Sequence, residues 1–320
     1  MEPESKTDEV YSCVITANVQ GRLAPLRKVV RRAEDSEARW VGITEAPDGP
    51  EVGEAWEKAG YVWHPCPSAT GSVGLAVKRE ESVRMMKWEE KEELGMMTMT
   101  MQYEEGRMGI VVVRLKPSMD IPNEERDILG AKVMDEIQSL TKTHKTTLVM
   151  GDMNQVGVPS DRVTETKNGE EETKTHRGLQ LVDMKVMGFE DLYRARHAEG
   201  GYTNYMNTRR GRCRSRLDYI FLREEKRRPQ VADAHVFAIH KATTHHGLEV
   251  RVKLDGGRPK WEERAVYSRI LLGKASVEQK KAFVQQVHKK LQTEKTEKKY
   301  GLNHLLQQAT EGIVKILTKA

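Results

Sequence analysis

Apolar residues recur between residues 11 and 254 at two spacings, every second position and every third or fourth position, which are typical of strands and of amphipathic helices. The first spacing and short apolar runs predict strands at 11–17, 40–43, 61–66, 72–77, 96–103, 107–115, 146–150, 215–221, 234–239 and 248–254. Helical spacing predicts helices at 22–32, 51–58, 124–142 and 179–187. The stretch 161–175 is polar and highly charged, and we expect a mobile loop there.

The order of these elements predicts an α/β fold. The first strand, helix and strand follow one another within about thirty residues, which favours parallel pairing of the two strands. Parallel pairing would bring Asn18 and Glu45 together at the carboxyl ends of the strands, where α/β folds place their ligands. In 96–103 methionine alternates with threonine, which favours packing of the methionines in the core over a copper-binding box.

The chain divides at the segment 256–259, which reads Gly-Gly-Arg-Pro. We expect residues 1–9 to be disordered, residues 10–256 to form one domain, and residues 257–320 to form a basic helical extension. Helical spacing predicts helices at 277–291 and 302–317, and the second carries an apolar stripe that needs a partner.

Charge and composition narrow the class of protein. The net charge is +5, yet residues 258–320 alone hold fourteen Lys or Arg against six Asp or Glu. A basic tail of this kind attracts nucleic acid, although a solvated helical face gives the same count. The three cysteines form no close pair, no run of eighteen apolar residues occurs, and the N-terminus does not resemble a signal peptide. We therefore expect a soluble intracellular protein, nuclear or cytoplasmic, without a membrane segment.

The candidate chemistry begins where the strand 146–150 ends. Gly151 allows a turn, and Asp152 and Asn154 then project to the same side, offering a proton acceptor or metal ligand beside a neutral donor. An isolated Gly-Asp pair is more often a simple turn. Here Asp218 lies in a second apolar strand, and His245 and His246 follow it, so that an Asp could hold an imidazole as in hydrolytic sites.

These motifs resemble those of the Mg-dependent endonuclease/exonuclease/phosphatase superfamily, in order and in spacing. Five signatures match: Asn18 in A-N-V-Q-G, Glu45 in G-I-T-E-A, the G-D-x-N of 151–154, the S-R-x-D-Y-I of 215–220, and a terminal S-D-H represented by 244–246. Within the superfamily the chain is most similar to the endonuclease of LINE-type retrotransposons, through 191–194, 201–203 and the Arg-rich approach to 215.

The chain departs from the superfamily pattern at two positions. His245 stands where S-D-H has an Asp that helps to hold the metal, and Leu115 stands two residues before Pro117 where the family tends to have a Tyr. Both positions belong to the motifs of the expected active site. The departures therefore affect the expected activity more than the expected fold.

The resemblance implies a four-layer α/β sandwich of two packed β-sheets flanked by helices. It also implies Mg²⁺, or Mn²⁺, held by Asn18, Glu45 and His245, and hydrolysis of a phosphodiester. In that mechanism Asp152 accepts the proton of the attacking water and Asn154 donates to a phosphate oxygen. His246, oriented by Asp218, would stabilise the phosphate.

The resemblance implies DNA as the substrate, and the residues agree with a nucleic acid, since five arginines crowd into the eight residues 209–216 beside two tyrosines. A solvated loop or a nuclear localisation patch would give the same composition. The candidate nucleic-acid contacts are Arg194, Tyr202, Arg209, Arg210, Arg212, Arg214 and Arg216.

Two other functions remain open from the residues alone. One is a nucleic-acid-binding module of the same fold with weakened catalysis, and the other is a phosphatase or phosphodiesterase acting on a small molecule. In LINE-type proteins a similar helical connector precedes the reverse transcriptase, so a downstream polymerase domain or a protein partner is expected for the C-terminal helices.

Overall fold

The structure is a computed structural model, and it describes residues 11–67, 72–103, 106–117, 122–166, 169–172, 179–208, 211–225 and 227–254. The expected N-terminal segment 1–9, the boundary at 256–259, the extension 257–320, Arg209 and Arg210 lie outside the described residues. No helix among the described residues is long and apolar enough to cross a membrane.

Strands dominate the described part of the chain. They are β1 (Ser12–Asn18), β2 (Trp40–Ala46), β3 (Tyr61–Cys66), β4 (Ser72–Lys78), β5 (Met85–Lys91), β6 (Met96–Tyr103), β7 (Gly106–Arg114), β8 (Thr146–Asp152), β9 (Arg162–Thr166), β10 (Gly169–Glu172), β11 (Glu190–Asp191), β12 (Asn204–Thr208), β13 (Gly211–Ser215), β14 (Asp218–Glu224), β15 (Gln230–Ala238) and β16 (His246–Lys253). The helices are α1 (Leu23–Asp35), α2 (Pro50–Lys58), α3 (Arg79–Ser82), α4 (Asn123–Thr143) and α5 (Leu179–Val186), with 3₁₀ turns at Glu92–Leu94 and Pro159–Asp161.

Two six-stranded sheets form the centre of the fold. The first has the order β15-β16-β1-β2-β4-β3 and the second the order β11-β14-β8-β7-β6-β5. Only β1 with β2, and β7 with β8, pair in parallel among the described strands. A small third sheet has the order β10-β9-β13-β12.

Three apolar layers hold the sheets and helices together, because alternate side chains of each strand face opposite sides. Between the two sheets, Val14, Leu75 and Val250 of the first meet Met97, Met99 and Ile110 of the second. Outside the first sheet, Leu26 of α1 and Trp56 of α2 cover Ile15 and Ile43. Outside the second, Val133 and Ile137 of α4 and Met184 of α5 cover Val111 and Val149. The four-layer α/β sandwich and the core role of the methionines are therefore confirmed.

The stretch 161–175 contradicts the loop prediction where it is described. Residues 162–166 and 169–172 form β9 and β10, and β9 pairs with β13. The pairing places Glu165 opposite Arg212, and the Glu165 side chain lies 3.8 Å from Arg214. Pairing with β13 therefore accompanies the strand conformation of a polar stretch whose own residues do not indicate a strand. The strands β5, β11, β12 and β13 also have no counterpart among the sequence predictions.

Candidate active site

The carboxyl ends of β1, β2 and β8 and the start of β14 meet at one edge of the two packed sheets. β1 ends at Asn18, Glu45 is the next-to-last residue of β2, β8 ends at Asp152, and β14 begins at Asp218. Parallel pairing of β1 with β2 and antiparallel pairing of β14 with β8 produce this convergence. The predicted proximity of Asn18 and Glu45 is present in the structure.

Asn18 links two carboxylates that belong to different sheets. Its Nδ2 donates to Glu45 Oε1 at 2.8 Å and to Asp152 Oδ2 at 2.9 Å, while its Oδ1 accepts the backbone N–H of Gln20 at 2.9 Å. Both hydrogens and the oxygen of the amide are thus engaged within the protein. In this arrangement Asn18 orients the two carboxylates, and its oxygen keeps a second lone pair that a metal could take.

Asp152 and Asp218 lie directly opposite each other on neighbouring strands. Gly151 lets β8 reach this position, since its φ is +138° and a Cβ there would lie 1.9 Å from the Val113 carbonyl oxygen. The Thr203 hydroxyl oxygen accepts the backbone N–H of Asp218 at 3.0 Å and so fixes the start of β14. Facing carboxylates repel each other, and a positive group between them would relieve the repulsion.

His245 is that group. Its Nδ1 and Asp218 Oδ2 lie 2.9 Å apart, and both side chains are buried. The sequence predicted this pairing for His246, so the prediction is wrong by one residue. His246 begins β16 and places its ring 4.5 Å from that of Tyr205. In the S-D-H signature, His245 therefore takes the place of the His and Thr244 the place of the Asp.

The electrostatics follow from this pairing. Burial, and then the charge of Asp218, raise the pKa of Asp152 to about 6. Burial alone would lower the pKa of His245, but the Asp218 carboxylate outweighs it and raises the pKa to about 9. Near neutral pH His245 is therefore an imidazolium whose Nδ1–H donates to Asp218, and a second N–H remains at Nε2. Burial, followed by the charge of His245, lowers the pKa of His246.

Asn154 lies beside Asp152 as predicted. Its backbone N–H donates to Asp152 Oδ1 at 2.9 Å, and its Nδ2 donates to the Leu115 carbonyl at 2.7 Å. Leu115, one of the two departures from the superfamily pattern, contributes its backbone to this contact while its side chain is buried in the layer under α4. Asn154 and Glu45 both have left-handed backbone conformations, with φ of +47° and +49°. Strain of this kind concentrates at functional sites.

The residues at this edge fit a divalent cation. Asp152, Asp218 and His245 offer ligand atoms that all lie within 4.8 Å of one another. The buried Asp218 Oδ1 has no hydrogen-bond partner among the described residues, and an orphaned buried oxygen indicates a missing ligand. Glu45 adds a further carboxylate, and carboxylate oxygens are the donors that Mg²⁺ and Mn²⁺ prefer. An imidazolium cannot ligate a metal, so His245 fits this set only after losing its proton.

Two of the arginines expected to contact DNA form an internal cluster instead. Arg216 is buried, with Nε 3.1 Å from Asp161 Oδ1 and Nη1 2.6 Å from Asp191 Oδ2. Arg194 also pairs with Asp161. For Arg216 the prediction of a DNA contact is wrong, because its donors are directed at Asp161, which is buried, and at Asp191, which is partly buried.

Other candidate DNA contacts lie on or beside the β12–β13 hairpin. Arg212 is exposed, and Arg214 lies over the ring of Tyr202 at 4.8 Å from its centroid. The Tyr202 hydroxyl donates to the Ser160 carbonyl at 3.1 Å. The hairpin thus presents charge and aromatic surface together, and Met206 on β12 is also exposed.

One further residue lies at this edge, Arg114, which the sequence motifs did not include. It ends β7, pairs in register with Asp152, and directs its Nε and Nη2 at Glu45 Oε1, each at 3.1 Å. Its position at the end of a β-branched apolar run, where a core side chain would be expected, was the available signal.

No protein-family model and no curated protein sequence matches this chain. Solved structures do. The 3′ phosphatase NExo from Neisseria, bound to a product DNA hairpin, is similar with a TM-score of 0.59 and 14% identity over 75% of this chain and 98% of that one. An endonuclease/exonuclease/phosphatase family protein from Leptotrichia buccalis gives a TM-score of 0.54 and 13% identity, over 76% of this chain and 100% of that one.

The endonuclease domain of TRAS1, a telomere-specific non-LTR retrotransposon, gives a TM-score of 0.52 and 17% identity, over 77% of this chain and 99% of that one. Identities this low show the fold alone. The described residues therefore have the endonuclease/exonuclease/phosphatase fold, which the sequence motifs predicted.

Proposed function

We propose that this chain is a divalent-metal-dependent phosphodiesterase that nicks DNA. The observation that carries the proposal is the hydrogen-bonded array of Glu45, Asn18, Asp152, Asp218 and His245 at one edge of the two sheets. Three carboxylates and one imidazolium are the groups needed to bind a cation, accept a proton and stabilise a phosphate.

Each side chain has a role that its contacts support. Asp152, whose pKa is raised to about 6, accepts the proton of the attacking water. Asp218 orients His245, which donates from Nε2 to a phosphate oxygen as negative charge develops there. Asn154 uses the second hydrogen of its Nδ2 for another phosphate oxygen. The cation, held by Glu45 with Asn18, would supply electrostatic stabilisation of the phosphate when bound.

DNA is the proposed substrate on two grounds. The hairpin around Arg212 and Arg214 presents positive charge beside Tyr202, which suits a phosphate backbone with a stacked base or sugar. Among proteins of the same fold, NExo is bound to a DNA hairpin and TRAS1 contributes a retrotransposon endonuclease. The motifs at 191–194 and 201–203 extend the proposal to an endonuclease of the retrotransposon type.

Nicking of a supercoiled plasmid tests the proposal. We expect open-circle product with Mg²⁺ or Mn²⁺ and none with EDTA. A matched pair of variants, Asp152→Asn at the site and Asp135→Asn on the exposed face of α4, separates the site from a contaminating nuclease. Equal nicking by the two variants would contradict the assignment.

Two other results would each replace the proposal with a different function. DNA binding without nicking in either metal would identify a binding module that keeps the fold. Turnover of a nucleotide or an inositol phosphate, but not of DNA, would identify a small-molecule phosphatase.

A further inference from the structure

The guanidinium of Arg114 lies among the carboxylates that would hold the cation. Its backbone is fixed twice, by the register of β7 with β8 and by an Arg114 N–H bond to the Gly95 carbonyl at 2.9 Å. From there the side chain crosses from the second sheet to the first and contacts Glu45. A buried guanidinium needs an acidic partner, and Glu45 provides one.

The contact saturates one oxygen of Glu45. Arg114 Nε and Nη2 each lie 3.1 Å from Oε1, and Asn18 Nδ2 lies 2.8 Å from the same atom. A carboxylate oxygen has two lone pairs, and the hydrogen bonds from Asn18 Nδ2 and Arg114 Nε occupy both, which leaves this oxygen nothing for a metal. A cation can then take Oε2 alone, or it must displace Arg114.

The position of the missing family Asp adds to this effect. Thr244 stands there, and its hydroxyl oxygen accepts from Gln20 Nε2 at 3.1 Å and from Asn204 Nδ2 at 3.2 Å. These neutral partners bring no negative charge to the edge. The site therefore has one carboxylate fewer than the superfamily pattern implies, and Arg114 adds a permanent positive charge, because a guanidinium does not lose its proton.

We propose that Arg114 is a built-in counter-ion of Glu45 that competes with the divalent cation, so that this residue sets the cation affinity of the site. Arg114 is a positioning residue in this role, since it acts through Glu45. The inference rests on the proposed function, because it takes Glu45 to be a ligand of that cation. If Arg114 competes with the cation, its removal should strengthen cation binding. If Arg114 only supported the position of Glu45, its removal should weaken cation binding.

Mn²⁺ binding to the full chain without DNA, followed by electron paramagnetic resonance or calorimetry, tests the sign. Arg114→Gln keeps a hydrogen-bond donor and removes the charge, and we expect it to bind Mn²⁺ about tenfold more tightly or better. Arg114→Lys keeps the charge and should remain within about threefold of the parent. A structural support predicts the reverse, with Arg114→Gln binding more weakly than the parent.

Thermal unfolding provides a second measurement that does not depend on activity. Without metal, Arg114→Gln should melt below the parent, because Glu45 loses its counter-ion. Saturating Mn²⁺ should raise the melting temperature of Arg114→Gln more than that of the parent, since a tighter ligand stabilises more.

The possible failures are distinguishable from one another. If Arg114→Gln binds Mn²⁺ equally or more weakly while the parent nicks DNA in a metal-dependent way, the inference fails and the proposed function stands. If neither protein binds Mn²⁺ and Glu45→Gln changes nothing, the metal-dependent function and the inference fail together.

Discussion

Asp152 and Asp161 are both buried, yet the protein surrounds them in opposite ways. Asp161 is contacted by two arginines, Arg216 and Arg194, which outweigh the effect of burial and lower its pKa. Asp152 faces another carboxylate, Asp218, and its pKa is raised by burial and by that neighbour. The charge of Asp161 is neutralised by arginines of the protein. The repulsion between Asp152 and Asp218 remains until a cation or a proton binds.

The difference separates a structural from a functional use of the same side chain. Fully paired buried carboxylates fix the positions of the elements that carry them, and here they join the 3₁₀ turn before β9 to β11 and the start of β14. Incompletely satisfied ones are costly unless they perform chemistry. Four predictions would break or sharpen this contrast.

The largest effect is expected on activity. Asp152→Asn removes the proposed proton acceptor, so nicking should fall by about two orders of magnitude or more. Folding should survive, and the metal-free protein should even gain stability, because one of two facing negative charges disappears. Plasmid nicking and urea unfolding measure the two quantities on the same preparation. A variant that nicks within a few-fold of the parent would remove Asp152 from the chemistry.

The opposite outcome is expected for Asp161→Asn. This change takes an ion-pair partner from the buried Arg216 and from the partly buried Arg194, which should lower the free energy of unfolding by about 3–5 kcal/mol. Glu165→Gln is the matched control, since its pair with Arg214 is partly exposed and should cost less than about 1 kcal/mol. Urea unfolding measures both. Equal losses would show that Asp161 is no more structural than a surface acid.

Acid should erase part of this difference. The pKa of Asp161 is lowered in the folded protein, so its stabilising contribution is complete above its unfolded value, near 4, and is lost as pH falls through the folded value. The gap in unfolding free energy between the parent and Asp161→Asn should therefore be constant from pH 7 to about pH 5 and shrink below about pH 4. A gap that persists unchanged at lower pH would mean that Asp161 is not the titrating group.

The smallest effect is expected on DNA binding, from an arginine that does not contact Asp161. Arg212→Gln on the exposed side of β13 should weaken DNA binding a few-fold and reduce the salt slope by about one, with little change in stability. Arg216→Gln should instead unfold the protein more easily. Salt-dependent binding and urea unfolding of both variants separate the two kinds of arginine. Loss of stability in Arg212→Gln would place it in the structural class.

Local patterns predicted much of this molecule. Some elements can be predicted from their own residues, because apolar positions alternate or recur along each of them. These are strands β1, β6, β7 and β8 and helix α4. The polar strands β9 and β10 cannot be predicted in this way, since they have no alternating apolar residues and exist as strands through pairing with each other and with β13. Tertiary context decided those elements, as it often does for strands.

The sequence motifs selected side chains that the structure brings to one edge, but they assigned the Asp218 contact to His246 and omitted Arg114. Two adjacent histidines give no sign of which one enters the site, because a shift of one position turns a strand residue to the other face. Likewise, the sequence around Arg216 does not show whether this arginine contacts DNA or another part of the protein. Its partner Asp161 lies 55 residues earlier in the chain. Arg114 escaped notice because only the packing of the second sheet against the first brings it to Glu45.

The left-handed conformations of Gln20, Glu45 and Asn154 have a consequence for engineering. Glycine would relieve about 1 kcal/mol at each such position, so a library screened for heat resistance alone should drift towards glycine there. A screen that also demands turnover should keep the original side chains. Positions at which the two screens select different residues would be those where the native side chain lowers stability but is needed for activity. The comparison requires no knowledge of the natural substrate.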